Sequence, residues 1–181
     1  MNMKLVTLVI AIMMASATGY SQESNIDRFY DHLPYNEVIA VADAGDKLYA
    51  ATPFSIFSYN HNDNSIERLT KVEGLSDIDI SWIEYNHQEE ALFIAYENTN
   101  IDILKDGEII NISDIKRKTI LGNKTINRVF MQGKYAYLAC GFGVVVVDIE
   151  REEIFDTYKI GPDGTLINVY DFTYHSEDNR F

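Results

Sequence analysis

The sequence predicts an all-β protein: a β-propeller fragment of about three four-stranded blades and the start of a fourth. Apolar residues return every 44 residues, as at Ala51, Ala95 and Ala139. They lie in short apolar runs bounded by Gly, Asn, Asp and Pro, a pattern typical of strands. Four strands in about 40–45 residues is the size of one propeller blade.

Other positions follow the same 44-residue spacing. Aromatic residues form a fourfold series at Tyr49, Phe93, Tyr137 and Phe181. Three apolar sets share the spacing, namely Val41, Tyr85 and Val129, then Phe57, Ile101 and Val145, then Ile66, Ile110 and Ile154. Such a repeat indicates stacked units that bury their apolar faces against their neighbours. Because the repeat stops within a fourth unit, we expect the chain to be the first part of a longer propeller.

The strands of each unit follow from the apolar runs and the turns between them. In the first unit they are predicted at 38–43, 47–51, 55–59 and 65–69. In the second they are predicted at 80–85, 91–96, 101–105 and 108–112, and in the third at 126–131, 135–140, 144–148 and 153–158. Turn chemistry agrees, since Gly45 supplies a positive φ and Asp106-Gly107 suits a hairpin. A fourth unit begins with a strand at 169–174. The predicted blades span about 37–77, 78–122 and 123–165, with the start of the next at 166–181.

The first 21 residues predict a secretory signal peptide, which is followed by a lead-in segment at 22–36. Lys4 precedes an apolar run from Leu5 to Met14, and small or polar residues then offer cleavage after Ala17 or Ser21. The run is shorter than the roughly 20 residues that cross a bilayer. We therefore expect export through the inner membrane, to the periplasm or the outer cell surface, and no transmembrane segment.

The composition argues against a nucleic-acid partner. The formal net charge is −13, whereas binding a phosphate backbone requires clustered Lys and Arg. The one basic cluster, Lys116 to Lys118, lies between the second and third units, where a solvated loop or an anion site are the alternatives. The only cysteine, Cys140, lies in a strand pattern and is expected to be a small buried apolar residue.

Candidate catalytic residues are few, and we expect no enzyme activity, cofactor or metal. The four histidines lack the spacing of a zinc site. Asp77 and Asp79 flank Ile78 and are expected to share a strand face, where they would serve acid or base chemistry or cap a blade connection. Asn98, Asn100 and Asp102 alternate in the same way, so they could line a polar channel or bind a cation, although three ligands do not make a calcium loop.

Several segments carry a family resemblance. Leu48 to Tyr59 resembles the repeats of two-component regulator propellers. More specific segments include His32-Leu33-Pro34-Tyr35-Asn36, Gly74-Leu75-Ser76-Asp77, Lys124-Thr125-Ile126-Asn127 and Ala139-Cys140-Gly141-Phe142-Gly143. These are similar to the N-terminal propeller of PorZ-like components of the type IX secretion system of Bacteroidetes.

The resemblance implies a non-catalytic scaffold at the outer cell surface. Proteins of this kind assist a partner that removes sorting domains from secreted cargo and attaches the cargo to the surface. Expected partners are other proteins of this machinery, among them a sorting-domain peptidase, or a surface glycan. Loops on a rigid ring are the expected contact positions, and the residues proposed for them are Asp77, Asp79, Asn98, Asn100, Lys116, Arg117 and Lys118.

Two other functions remain open from the sequence. One is the extracellular sensor propeller of a two-component-type receptor, which would have a transmembrane helix and a signalling domain downstream. The other is a propeller enzyme that acts on polysaccharide, which would need carboxylates, His or Tyr converging on one rim.

Overall fold

A computed structural model describes residues 37–175, which form three four-stranded antiparallel sheets. The first contains β1 (Ala40–Asp43), β2 (Lys47–Ala51), β3 (Ser55–Asn60) and β4 (Ile66–Thr70). The second contains β5 (Ile80–Asn86), β6 (Ala91–Tyr96), β7 (Ile101–Lys105) and β8 (Glu108–Ile112). The third contains β9 (Ile126–Gln132), β10 (Tyr135–Cys140), β11 (Gly143–Asp148) and β12 (Glu153–Tyr158). A helical turn, α1 (Asp114–Arg117), follows the second sheet, and a 3-10 turn (Pro162–Gly164) follows the third.

Each sheet has its strands in chain order, which is the arrangement of a propeller blade. The first strands of the blades, β1, β5 and β9, are neighbours and therefore lie toward a common axis. The predicted fold class is confirmed, and the twelve predicted strands are present with ends that differ by at most two residues. Within the described part of the chain, no helix is long and apolar enough to cross a membrane. Three predictions fall outside the described residues, those for 1–21, 22–36 and Phe181.

The start of the fourth blade differs from its prediction. No strand forms over 169–174. The segment instead follows the edge of the third blade, where the Val169 amide donates to the Cys140 carbonyl at 3.0 Å and Asn127 Nδ2 donates to the Val169 carbonyl at 2.7 Å. A strand requires a ladder partner, and no strand of the described region pairs with this segment.

The register of the sheets shows which repeat positions are equivalent. The three repeat alanines occupy the same place in β2, β6 and β10, and their ladder partners are Ile56, Ile101 and Val144. Ile101 therefore corresponds to Ile56 and Val144, although the 44-residue spacing groups it with Phe57 and Val145. The turn between β6 and β7 is one residue longer than its counterparts, and this extra residue causes the offset.

This offset places Asp102 where the other two blades have Phe57 and Val145. A carboxylate thus occupies an apolar position of the repeat. Two further sets of the 44-residue repeat are offset in the second blade. By ladder register, Ile109, and not Ile110, is equivalent to Ile66 and Ile154. In the same way Ile83, and not Tyr85, is equivalent to Val41 and Val129.

The strand β6 is buried on both faces because it lies between the first and third blades. All six of its side chains are buried, and they alternate between two apolar clusters as strand geometry requires. The cluster between the second and third blades includes Ala91, Phe93 and Ala95. The cluster between the first and second blades includes Leu92, Ile94 and Tyr96.

Cys140 belongs to the cluster between the second and third blades and is fully buried. Burial raises the pKa of its thiol to about 12, while a backbone hydrogen bond from Val145 acts weakly in the other direction. The thiol is therefore protonated at neutral pH. This agrees with the predicted role of a small apolar side chain.

We expect Phe93→Ala to destabilise the chain by about 3–5 kcal/mol, because it leaves a cavity in the centre of a packed interface. Tyr137→Ala is the matched control: it changes the equivalent position on the third blade, where the side chain is only partly buried. We expect it to cost at most about 1–2 kcal/mol. Urea denaturation measures both values. Equal losses would contradict the assignment of the interface between the second and third blades as the main core.

Candidate functional site

All residues predicted to contact a partner lie at one end of the second blade. In a meander of antiparallel strands, successive connections alternate between the two ends of the sheet. The turn at 97–100 therefore lies at the same end as the connections that enter the blade at 71–79 and leave it at 113–125. We call this end the connection face. It carries Asp77, Asp79, Asn98, Asn100, Lys116, Arg117 and Lys118.

Four of these residues meet at the carboxylate of Asp77, whose side chain is only 13% exposed. Asp77 Oδ2 accepts hydrogen bonds from Lys116 Nζ at 2.5 Å and from Asn98 Nδ2 at 2.6 Å. Asn100 Nδ2 lies 3.4 Å from the same oxygen. Lys116 belongs to the connection that leaves the blade and Asp77 to the one that enters it. The cluster therefore joins two successive connections across the end of the second blade.

The contacts lower the pKa of Asp77. Burial alone would raise this pKa, but hydrogen bonds from Lys116, Asn98 and the Ile78 amide outweigh the effect of burial. The carboxylate is therefore ionised at neutral pH and bound by donors of the protein itself. A general acid or base has instead a pKa near the working pH.

Asp102 forms a second polar group directly beneath this cluster. Its side chain is fully buried and accepts hydrogen bonds from the Tyr96 hydroxyl at 2.6 Å and the Ser76 amide at 2.8 Å. Asn111 Nδ2 donates to Asp102 Oδ1 at 2.8 Å and lies 3.1 Å from Asn100 Oδ1. Asn111 thus links the buried group to the surface cluster. Burial of Tyr96 and its bond to Asp102 both raise the pKa of this tyrosine.

Tyr96, Ser76 and Asn111 were not among the residues predicted to bind a partner or to be catalytic. A signal was nevertheless present, because Asp102 occupies an apolar position of the repeat and a buried carboxylate requires donors. The 44-residue spacing does not show that Asp102 is at an apolar position, because the second blade is offset by one residue there. Only the ladder register of the strands shows this offset.

The prediction that Asn98, Asn100 and Asp102 alternate on one strand face is wrong. Asn98 and Asn100 lie in the turn between β6 and β7, and only Asp102 lies in a strand. A turn of this length interrupts the period of two on which the prediction depended. Their polar atoms bond to protein groups, and the described residues contain no group of three or more His, Cys, Asp or Glu that could hold a metal ion.

Asp79 does not join the Asp77 cluster, and the prediction of a shared strand face is wrong for this pair. Both residues precede β5, which begins at Ile80. Asp79 has a positive φ of 60°, and its carbonyl accepts a hydrogen bond from the Glu97 amide at 2.9 Å. This backbone hydrogen bond therefore joins the segment that enters the second blade, 71–79, to the turn that contains Asn98.

The basic cluster is divided among different roles. Lys116 pairs with Asp77, whereas Arg117 NH2 lies 3.9 Å from Asp114 Oδ1 and is largely exposed. Lys118 is exposed. A fourth cation, Lys124, was not predicted: its Nζ donates to the carbonyls that end α1, at 2.8–3.0 Å. A cation at this position satisfies carbonyls that lack helical partners, so the leaving connection is held by its own lysine.

An amphipathic groove lies between this connection and the third blade. Its volume is about 380 Å³. Its apolar lining consists of Ile115, Ile120, Phe142, Val145 and Ile154. Its polar lining consists of Asp114, Arg117, Lys118 and Thr157. We call it the connection groove. It combines apolar surface with two cations, as is usual for a site that binds a peptide or a small amphipathic group.

Comparison with known families identifies this propeller. The family described as the N-terminal β-propeller domain of PorZ, of the type IX secretion system, matches residues 48–180. The chain belongs to this family. The resemblance found in the sequence is confirmed.

Solved structures agree with this assignment. The chain is 32% identical to PorZ of Porphyromonas gingivalis, an essential bacterial surface component of the type IX secretion system, with a TM-score of 0.63. The match covers 67% of this chain and 16% of that one. This PorZ-type chain thus corresponds to a small part of that protein. A comparison with curated proteins finds no match.

Two more distant structures share the fold alone. AztD of Citrobacter koseri is 14% identical with a TM-score of 0.54, over 76% of this chain and 36% of that one. The extracellular domain of a candidate hybrid two-component system of B. thetaiotaomicron is 12% identical with a TM-score of 0.54. That match covers 71% of this chain and 17% of the other.

We expect Asp102→Val to destabilise the chain by about 3 kcal/mol or more, because it leaves the Tyr96 hydroxyl and the Ser76 amide without their acceptor and removes one acceptor of Asn111. Valine occupies the equivalent position of the third blade, so the fold accepts its shape there. The loss of stability would therefore come from the missing acceptor. Adding Tyr96→Phe removes one stranded donor and should recover part of the loss. Urea denaturation tests the cycle. A neutral single variant would mean that the carboxylate is not needed to satisfy these donors.

We expect the contribution of Asp77 to stability to depend on pH in the acid range. Because its folded pKa is lowered, its contribution is fully present above the unfolded value, near 4, and is lost as the pH falls through the folded value. Asp77→Asn should cost about 1 kcal/mol between pH 5 and 7, and the difference from the parent should shrink below about pH 4. A difference that stays constant from pH 3 to 7 would contradict the ion pair.

Proposed function

We propose that this PorZ-type propeller is the non-catalytic scaffold of an exported accessory protein of type IX secretion. In this role it helps the maturation and surface attachment of secreted cargo by binding another protein of the machinery. The 32% identity to PorZ of Porphyromonas gingivalis carries the proposal. The match covers only 16% of the length of that protein. We therefore propose, for this chain, a part in the activity of the whole protein.

The geometry of the connection face supports a binding role. Asp77, Asn98 and Lys116 are held by one another, and Asp102 is held by Tyr96 beneath them. These contacts fix the two connections that frame the second blade. A rigid surface lowers the entropy cost of binding a partner. The polar residues of this end therefore hold the surface in place. Asp77 and Lys116 are already paired with each other, so we do not assign them the contact with the partner.

The connection groove is the part of this face that we propose contacts the partner. Its cations Arg117 and Lys118 are exposed, and its apolar floor is continuous with the core of the second and third blades. A partner segment with one apolar and one acidic side chain would satisfy both features. We further propose that the chain is exported to the periplasm or the outer cell surface, where such a partner works.

The two alternatives have weaker support. The similarity to the candidate two-component sensor, at 12% identity, concerns the fold alone. For an enzyme, Asp77 was the leading candidate, but its lowered pKa and its bond to Lys116 suit a structural ion pair.

The proposal is tested in the full-length parent protein. Deleting the propeller should leave cargo with uncleaved sorting domains and absent from the cell surface, as measured by immunoblotting and surface labelling. Arg117→Glu should reduce cargo maturation about threefold or more, because it reverses a charge on the groove. Arg151→Glu is the matched control, since Arg151 is an exposed arginine of the turn between β11 and β12, at the other end of the third blade.

Two results would overturn the proposal. Normal cargo maturation in the deletion strain would remove the secretion role. A hydrolytic turnover of the purified parent that disappears on Asp77→Asn would favour the enzyme, because a scaffold has no turnover to lose.

A further inference from the structure

Two stacked tyrosines lie where the first and second blades meet, at the end opposite the connection face. We call this end the hairpin face, since it carries the turns that join the first two and the last two strands of each blade. Tyr49 of β2 and Tyr85 of β5 have ring centroids 6.2 Å apart and planes inclined by 19°. Both rings line an open cavity of about 550 Å³ and an adjoining one of about 270 Å³.

The junction of the second and third blades shows that the fold does not require this opening. By ladder register, the positions equivalent to Tyr49 and Tyr85 are Phe93 and Met131. Phe93 is fully buried. There Asn86 Nδ2 donates to the Gly133 carbonyl at 2.8 Å and joins the two hairpins. Among the described residues, no hydrogen bond joins the corresponding hairpins of the first and second blades.

The tyrosine pair presents polar atoms as well as ring surface. Neither hydroxyl makes a hydrogen bond to another described residue. Burial raises the pKa of Tyr85, and Tyr49 and the nearby carboxylates of Glu90 and Asp46 act in the same direction. Both phenols therefore stay neutral at physiological pH. The ring faces keep their negative quadrupole, which attracts cations.

The charged residues around the pair are predominantly acidic. The linings of the two cavities include the carboxylates of Asp46, Glu67, Glu90 and Asp106 and the guanidinium of Arg68. Lys47 also lines the cavity, but its Nζ lies 3.2 Å from Glu67. An aromatic pair beside an excess of carboxylates over cations has the chemistry of a site for an organic cation.

We propose that this site binds an arginine side chain of a partner protein. A guanidinium is planar, so it stacks on a tyrosine face while its edge donates to carboxylates such as Glu90 and Asp46. An ammonium group lacks that flat face. A neutral sugar would also stack on the rings, but it would not neutralise the carboxylates, so the charge of the lining favours the cation.

Peptide titration of the full chain tests the proposal. The probes are acetyl-Gly-Arg-Gly-amide and the same peptide with citrulline, which has nearly the same shape and no charge. Binding is followed by NMR or calorimetry, with a neutral disaccharide as a third probe. We expect the arginine peptide to bind at least about fivefold more tightly than the citrulline peptide. We also expect this preference to weaken as salt is added.

Variants separate the ring from the charge. Tyr85→Leu should weaken binding of the arginine peptide about fivefold, whereas Tyr85→Phe, which keeps the ring, should change it less than about twofold. Glu90→Gln keeps the exposed side-chain shape and should weaken binding about threefold. Glu153→Gln, at an exposed glutamate of the third blade, should have no effect.

Several outcomes would overturn the proposal. These are equal affinity for the arginine and citrulline peptides, tighter binding of the disaccharide, or no saturable binding of the arginine peptide up to about 10 mM. Undiminished binding in Glu90→Gln would do the same even if Tyr85→Leu failed to fold. Because the site is at the other end of the blades from the connection groove, this result is independent of the cargo-maturation experiment.

Discussion

Burial of β6 on both faces is the constraint on which the rest of the molecule depends. Leu92 and Phe93 are neighbours in sequence, yet they belong to different apolar clusters, one on each side of the second blade. Each cluster joins two blades, so the second blade is stable only in the company of both neighbours. In the third blade, Tyr135 and Tyr137 of β10 occupy the positions equivalent to Ala91 and Phe93 of β6. They are only partly buried, since the described structure has no further blade packed against that face.

Because both faces of the second blade are buried, a polar side chain in it cannot reach water and must bond to other protein groups. Asp102 is in this situation. A carboxylate in an apolar position is tolerated only when donors surround it, and Tyr96, Ser76 and Asn111 provide them. The surface ion pair of Asp77 and Lys116 is built on this buried layer. The connection face is thus ordered from the core outward.

The sequence predicted the blades well because strands leave a strong local signal. Alternation and turn residues placed all twelve strands, and the repeat placed Tyr49, Phe93 and Tyr137 at equivalent positions. The site was harder to predict. The contact of Asp77 with Lys116 joins residues 39 apart in sequence, and no local pattern encodes it.

Loop length was the second obstacle. One additional residue in the turn between β6 and β7 moved Ile101 and Asp102 by one place, and a shift of one residue exchanges the two faces of a strand. The strand predicted over 169–174 failed for a different reason. Its composition suits a strand, but strand formation depends on a partner, which composition does not supply.

The buried thiol of Cys140 gives the molecule an internal reporter. Modification requires a thiolate and access, and both are withheld while the second and third blades remain packed, because burial holds the pKa of this thiol at about 12. The rate at which a thiol reagent labels Cys140 therefore measures how often that interface opens. As the sequence contains a single cysteine, the signal comes from one interface, and separation of the first blade from the second would leave it unchanged.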